Sequence, residues 1–230
     1  MKGDETVKLQ MALDDISLDA GVALVRRVRD CVDVVEVGTP MVMEYGMEAV
    51  RRVRQAAPGL GILADLKIMD AGAYEAELAL RAGADLITVL GVTDDRTICG
   101  CVEAAKRHGG RVVVDMICVE DVEARIAQLE AMGVDFVSVH VGVDQQAAGQ
   151  TPLDALRRMS ACVKTAKISV AGGITVDTLP DYLACRPEIV IVGGGIVHAP
   201  DPEAAARQFH AVLLSANDDG NRGYGNDRQE

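Results

Sequence analysis

Ionisable side chains stand where short apolar runs end. Asp14 follows LQMAL, Glu36 sits in VVEV, and Asp65, Lys67 and Asp70 lie in DLKIMD after GILA. Asp115 closes RVVV and His140 closes FVSV. A charge beside an apolar run is costly unless it is paired or coordinated, so this recurrence asks for a chemical reason. Asp65 and Lys67 are two apart, so on a strand they point to the same side. Alone they could form a plain ion pair at a strand end. With Glu36 and Asp115 in neighbouring runs, carboxylates outnumber the one lysine, a set suited to an oxygen-binding divalent cation such as Mg2+. Such a cation stabilises an enediolate, whose oxygens gain negative charge as a proton leaves carbon. A lone strand-end histidine can be purely structural. His140, opposite the carboxylates, is placed to move that proton, because imidazole titrates near neutral pH. His108, His198 and His210 look peripheral, at a helix end, beyond the last glycine loop and in the last helix.

Two glycine clusters complete the set: Gly172-Gly173 and Gly193-Gly194-Gly195. Either could serve only a tight turn. Both together, after the last two apolar runs, suggest backbone N–H groups bared to a phosphate.

The elements that must position these groups are eight short runs alternating with helical patterns: 9–13, 34–37, 61–66, 86–89, 112–116, 136–140, 168–171 and 189–192. They are near-continuously apolar, as strands buried on both faces must be. Between them Leu18, Val22, Val25 and Val28 fall on one helical face, as do Val122, Ile126 and Leu129. Gly83, Gly109 and Gly133 stand where such helices need a left-handed stop. Asp33, Asp85, Asp135 and Glu188 introduce the even-numbered runs at intervals of 52, 50 and 53 residues. Asp14, Asp65 and Asp115 end odd-numbered ones at intervals of 51 and 50. A two-unit period favours radial closure, so the expectation is an α/β protein with a closed (β/α)8 TIM barrel over residues 8–214. Residues 1–7 read as a flexible N-terminus. The polar stretch SANDDGNRGYGNDRQE, residues 215–230, reads as a disordered tail.

Composition narrows the partners. Only 3% of the 230 residues are aromatic, too few for a base-stacking surface, and the net charge of −12 disfavours nucleic acid. No apolar run approaches a membrane span, and MKGDETVKLQ lacks a secretory signal's apolar region. The six cysteines form no CxxC framework; they read as reduced, mostly buried thiols of a cytoplasmic protein.

LQMALD, VVEVGTP, ILADLKIMDAG, VVVDM, VSVHVGVDQQAAG, SVAGGI and VIVGGGI together resemble the 3-hexulose-6-phosphate synthases. These belong to the orotidine-phosphate decarboxylase suprafamily, alongside the 3-keto-L-gulonate-6-phosphate decarboxylases. The likeness runs from Lys8 to Leu214, and DxKxxD at Asp65, Lys67 and Asp70 is its signature. It implies a barrel of the ribulose-phosphate-binding type and a reversible, Mg2+-dependent aldol condensation of formaldehyde with D-ribulose 5-phosphate, giving D-arabino-3-hexulose 6-phosphate. By the same likeness Glu36 and Asp65 would ligate Mg2+, and Lys67 would add positive charge to the enediolate. Asp14 would hydrogen-bond substrate hydroxyls, and Asp115 would hold the sugar chain or tune the site. His140 would take the C1 proton, and Gly172, Gly173, Gly193, Gly194 and Gly195 would hold the phosphate. Asp70 would reach the partner subunit's site in a homodimer. The decarboxylases carry Arg where this chain has Val143 and Gly194, which weakens that alternative. A catalytically silent sugar-phosphate-binding barrel is the non-enzyme alternative.

Overall fold

Eight parallel strands close into one ring in sequence order, β1 beside β8, in a computed structural model that describes residues 6–223. They are β1 (Lys8–Leu13), β2 (Val34–Val37), β3 (Gly61–Ile68), β4 (Leu86–Leu90), β5 (Arg111–Asp115), β6 (Phe136–His140), β7 (Lys167–Ala171) and β8 (Ile189–Val192). Helices separate every pair, so the expected (β/α)8 barrel is the fold. Among the described residues no helix is long and apolar enough to cross a membrane.

Alternation along the strands sorts the side chains. Met11, Val35, Ile62, Ile87, Val112 and Val137 point outward and are fully buried under the helices. The inward residues stack in two layers. Val34, Leu63, Leu86, Val113, Phe136 and Ile189 make an apolar plug. Above it the interior turns polar, with Gln10, Glu36, Asp65, Thr88, Asp115, Ser138 and Ser169 all buried. The plug closes one end, so the chemistry can face only the other.

The acidic residues before the even strands have a structural task at the plugged end. Asp33 Oδ2 accepts the Leu9 N–H at 2.9 Å, Asp85 Oδ2 that of Ile62 at 2.8 Å, and Asp135 Oδ2 that of Val112 at 2.9 Å. Each satisfies an amide near the start of the odd strand beside it, which explains the 50-residue rhythm. Glu188 departs from this pattern and pairs with the Lys167 ammonium at 2.6 Å. The helices Gly72–Ala82, Asp95–His108 and Val122–Met132 end on Gly83, Gly109 and Gly133, all left-handed.

Three expectations change. The last helix runs Pro202–Gly223, past the Leu214 boundary, so 215–223 is helical rather than a loose tail. Asn217 holds it: its Oδ1 accepts the Val7 N–H at 2.9 Å and its Nδ2 donates to the Val7 carbonyl at 3.3 Å. The same clip ties down Val7 of the expected flexible start. Residues 1–5 and 224–230, where the rest of both terminal expectations falls, lie outside the described residues. Of the cysteines only Cys101 is fully buried, and Cys118 is exposed.

Candidate active site

The open end of the barrel holds a cavity of about 850 Å3, lined by Asp14, Glu36, Asp65, Lys67, Asp115, His140 and both glycine clusters. Of the residues picked out for chemistry, one is missing from it. Asp70 is exposed outside the rim, its Oδ1 accepting its own following amide at 2.7 Å.

Asp65 is the best-tethered carboxylate. The Thr88 hydroxyl donates to its Oδ1 at 2.7 Å and the Thr39 hydroxyl to its Oδ2 at 2.8 Å, while the Lys67 ammonium pairs with the same Oδ2. Lys67 does not reach it by simple alternation. The register of β3 against β4 shifts between Ala64 and Ile68, and Lys67 takes a left-handed φ of 46°. Its own amide is caught by Thr88 Oγ1 at 2.9 Å. A bulge of this kind re-aims a side chain beside a site, at a cost of about 1–3 kcal/mol for the strained residue. The ammonium so placed also lies 3.6 Å from Asp115 Oδ2. Burial disfavours its charge, but Asp65, Asp115 and Glu36 outweigh burial and hold its pKa above the usual lysine value.

Asp115 joins this lysine to the histidine. Its Oδ2 lies 2.8 Å from His140 Nδ1, and its Oδ1 accepts the Ile117 N–H at 2.9 Å. Burial opposes its ionisation, yet His140, Lys67 and the Ile117 amide together keep its pKa below the ordinary aspartate value. A charged Asp115 accepts from Nδ1–H, which leaves His140 Nε2 as the basic atom.

Glu36 is the opposite case. Burial, then the charges of Asp65 and Asp14, push its pKa up to about 8, against a hydrogen bond of 2.6 Å from the Gln10 amide to Oε2. Asp14 is likewise raised, by burial first and Asp65 second. It packs against Gly38, where a Cβ would strike its carboxylate, while a Cβ on Gly193 would stand at ordinary contact distance, 3.4 Å, from Oδ2.

The glycine loops are built tightly. Gly172 (φ 125°) and Gly173 (φ 64°) take conformations side chains rarely adopt, and a Cβ on Gly172 would meet the Val141 carbonyl at 2.9 Å. Gln146 braces the neighbouring loop, its Nε2 donating to that carbonyl at 2.7 Å. Gly193-Gly194-Gly195 open the short helix Gly194–Val197.

Sequence reasoning missed the supporting layer of Gln10, Thr39, Thr88 and Ser138, and it placed His198 at the periphery. Polar residues interrupting LQMAL and LITVL were a readable signal for Gln10 and Thr88. His198 in fact lines the cavity, with Nε2 2.7 Å from Oδ1 of Asp15, a contact between ends of the chain that no local pattern foretells.

A family model described as orotidine 5'-phosphate decarboxylase / HUMPS family matches residues 7–209. The chain is 47% identical over 208 residues to a 3-hexulose-6-phosphate synthase of Bacillus subtilis (strain 168), covering 90% of this chain and 99% of that one. The crystal structure of 3-hexulose-6-phosphate synthase from Salmonella typhimurium superposes with a TM-score of 0.90 at 48% identity, over 91% of this chain and all of the other. The 3-keto-L-gulonate-6-phosphate decarboxylase from Vibrio cholerae has the same architecture at a TM-score of 0.80. It shares 28% identity over 93% of this chain and 98% of that one. The carboxylate, lysine and histidine cluster thus sits at the open end of a barrel matched almost end to end, and the chain belongs to the orotidine 5'-phosphate decarboxylase / HUMPS family.

Proposed function

We propose that this chain is an aldehyde-lyase that condenses formaldehyde with D-ribulose 5-phosphate to give D-arabino-3-hexulose 6-phosphate, reversibly and with Mg2+. The observation that carries the reading is one cavity holding an oriented base, His140 on Asp115, against a carboxylate and ammonium cluster, with two glycine loops at its edge. Identity of 47–48% to synthases, against 28% to the decarboxylase, favours condensation over decarboxylation.

In this reading His140 Nε2 takes a proton from C1 of the pentulose phosphate, and the electron pair left behind forms the enediolate. That carbon attacks the formaldehyde carbonyl, one C–C bond forms, and the former carbonyl oxygen takes up the proton that His140 returns. Asp115 fixes the ring and stabilises its protonated state. Lys67 sets positive charge beside the developing oxyanion. Asp14 binds substrate hydroxyls, and Gly172, Gly173, Gly193, Gly194 and Gly195 hold the phosphate through backbone amides.

Glu36 and Asp65 would hold Mg2+. Among the described residues no three carboxylate, histidine or cysteine side chains converge as a closed cage. Two carboxylates with open positions nevertheless fit an ion that keeps waters and takes substrate oxygens. Free acceptor positions remain on Glu36 and Asp65, and Glu36, raised by burial and then by the charges of Asp65 and Asp14, suits a divalent cation that would offset both. When bound, Mg2+ supplies Lewis-acid stabilisation of the enediolate oxygens.

A homodimer with shared sites is part of the proposal. Asp70 follows exposed Met69 in the chain, Tyr74, Leu78 and Val92 are exposed as well, and the Thr93 hydroxyl draws its loop to the Met69 carbonyl at 2.6 Å. Large apolar side chains left in water near Asp70 support the reading that this side meets a second subunit. The deciding assay follows ribulose 5-phosphate consumption with and without formaldehyde and chelator. Formaldehyde-dependent, chelator-sensitive loss is expected. CO2 release from 3-keto-L-gulonate 6-phosphate without it would favour the decarboxylase, and no turnover with either would favour the silent barrel.

A further inference from the structure

Arg125 stands outside the cavity, near the start of the helix Val122–Met132, yet its side chain is only 14% exposed. Its guanidinium clamps one segment. Nε donates to the Gly91 carbonyl at 2.7 Å, Nη2 to the Thr93 carbonyl at 3.0 Å and Nη1 to Asp95 Oδ1 at 2.6 Å. These are three points along the chain that leads from β4 into the helix Asp95–His108. A planar fork of fixed donors suits such a clamp, and a flexible ammonium does not.

The clamped segment carries the contacts that hold Asp70. Pairing of β3 with β4 ends at Ile68, opposite Val89. Beyond it the Thr93 hydroxyl donates to the Met69 carbonyl at 2.6 Å. On the other side of Asp70, Gly72 sits so close to the Thr97 carbonyl that a Cβ there would stand 2.0 Å from it. Lys67, by contrast, is fixed from inside the barrel by Thr88 and Asp65, independently of this segment.

We infer that Arg125 is a positioning residue for Asp70: by clamping Gly91, Thr93 and Asp95 it holds the Thr93 hydroxyl on the Met69 carbonyl, and so aims Asp70 at the partner subunit's site. The inference rests on the shared-site reading above. A functional side chain on a loop is placed only as well as the hydrogen bonds behind it. Each step here from the guanidinium to the residue before Asp70 is a direct hydrogen bond or the chain itself. Arg125 therefore serves the partner's cavity rather than its own.

The test uses Arg125→Met, which keeps side-chain length and removes every donor, and Thr93→Val, which cuts only the link to Met69. Each variant alone should lose roughly tenfold or more in kcat, as misplacement of a functional group does. Mixed with Glu36→Ala, each should climb back toward roughly a quarter of full activity, because one hybrid site joins an intact cavity to an unaltered Asp70 loop. Mixed with Asp70→Ala, neither should recover, since both changes damage the same loop. Hydrogen exchange at the amides of residues 70–73 should quicken roughly tenfold or more while β3 and β4 keep their protection. If Asp70→Ala recovers with Glu36→Ala but Arg125→Met does not, or if Arg125→Met recovers with Asp70→Ala, the role of Arg125 alone is overturned. If Asp70→Ala does not recover either, the shared sites fall and this inference falls with them. Unchanged exchange at those amides in Arg125→Met would overturn it even in a protein without turnover.

Discussion

His140 Nδ1 and Asp115 Oδ2 lie 2.8 Å apart across adjacent strands, the histidine two residues beyond Ser138, the direct partner of Asp115 in the sheet. This diagonal fixes which ring nitrogen faces the cavity. Asp115→Asn would keep the shape but can offer an N–H where Nδ1–H needs an acceptor, turning the ring to the wrong tautomer. We expect kcat to fall at least about a hundredfold, as loss of general-base catalysis does. The more direct measurement is deuterium uptake at C1 of ribulose 5-phosphate in D2O without formaldehyde. It should be lost in His140→Gln, and exchange at the unaltered rate would remove His140 from the proton-transfer role.

Asp70 supplies the second prediction, because it is outside the cavity of its own chain. Asp70→Ala and Glu36→Ala should each be nearly inactive alone. Mixed subunits would contain one site with neither substitution, so up to roughly a quarter of full activity per dimer population should return. No recovery after confirmed subunit exchange would argue that the sites are not shared.

The two ends of the barrel should differ in whether a substitution reaches the kinetics. Asp135→Ala removes the acceptor for the Val112 amide at the plugged end, far from the chemistry. Unfolding free energy should drop by about 1–2 kcal/mol while kcat and KM hold. Gly173→Ala should reach the chemistry as well as the stability at the open end, where φ is 64° and a Cβ would stand 3.0 Å from Gln146 Oε1. There the KM for ribulose 5-phosphate should rise severalfold.

Much of the barrel was legible because both-faces-buried strands write themselves as unbroken aliphatic runs, and the Asp33, Asp85 and Asp135 rhythm marked closure. Its site carboxylates were legible for a related reason: Glu36, Asp65 and Asp115 are anomalies in those runs. What escaped is long-range or conformational. The Asp15–His198 contact joins residues 183 apart. The bulge at Lys67 delivers its ammonium to Asp65 by a backbone twist that the two-residue spacing conceals. Asn217 looked like part of a polar tail, yet one amide side chain meeting the Val7 backbone is enough to dock it.

Glu36 gives the pH prediction. Burial and the neighbouring Asp65 and Asp14 raise its pKa to about 8, well above the 4.5 of a free glutamate. Between those values the folded chain holds more protons than the unfolded one, so stability must fall as pH rises through that window. Asp14, raised by burial, adds in the same direction, whereas Asp115, lowered, acts only at and below the ordinary carboxylate range. In chelator the unfolding midpoint should therefore drop from pH 5 to pH 8, and Glu36→Gln should flatten that slope. Binding a divalent cation needs the ionised glutamate, so Mg2+ should release up to one proton near pH 7 and bind more tightly as pH approaches 8. Calorimetry in two buffers of different ionisation enthalpy reads that proton. Mg2+ binding without proton release, together with a flat chelated stability profile, would take Glu36 out of the proposed metal site.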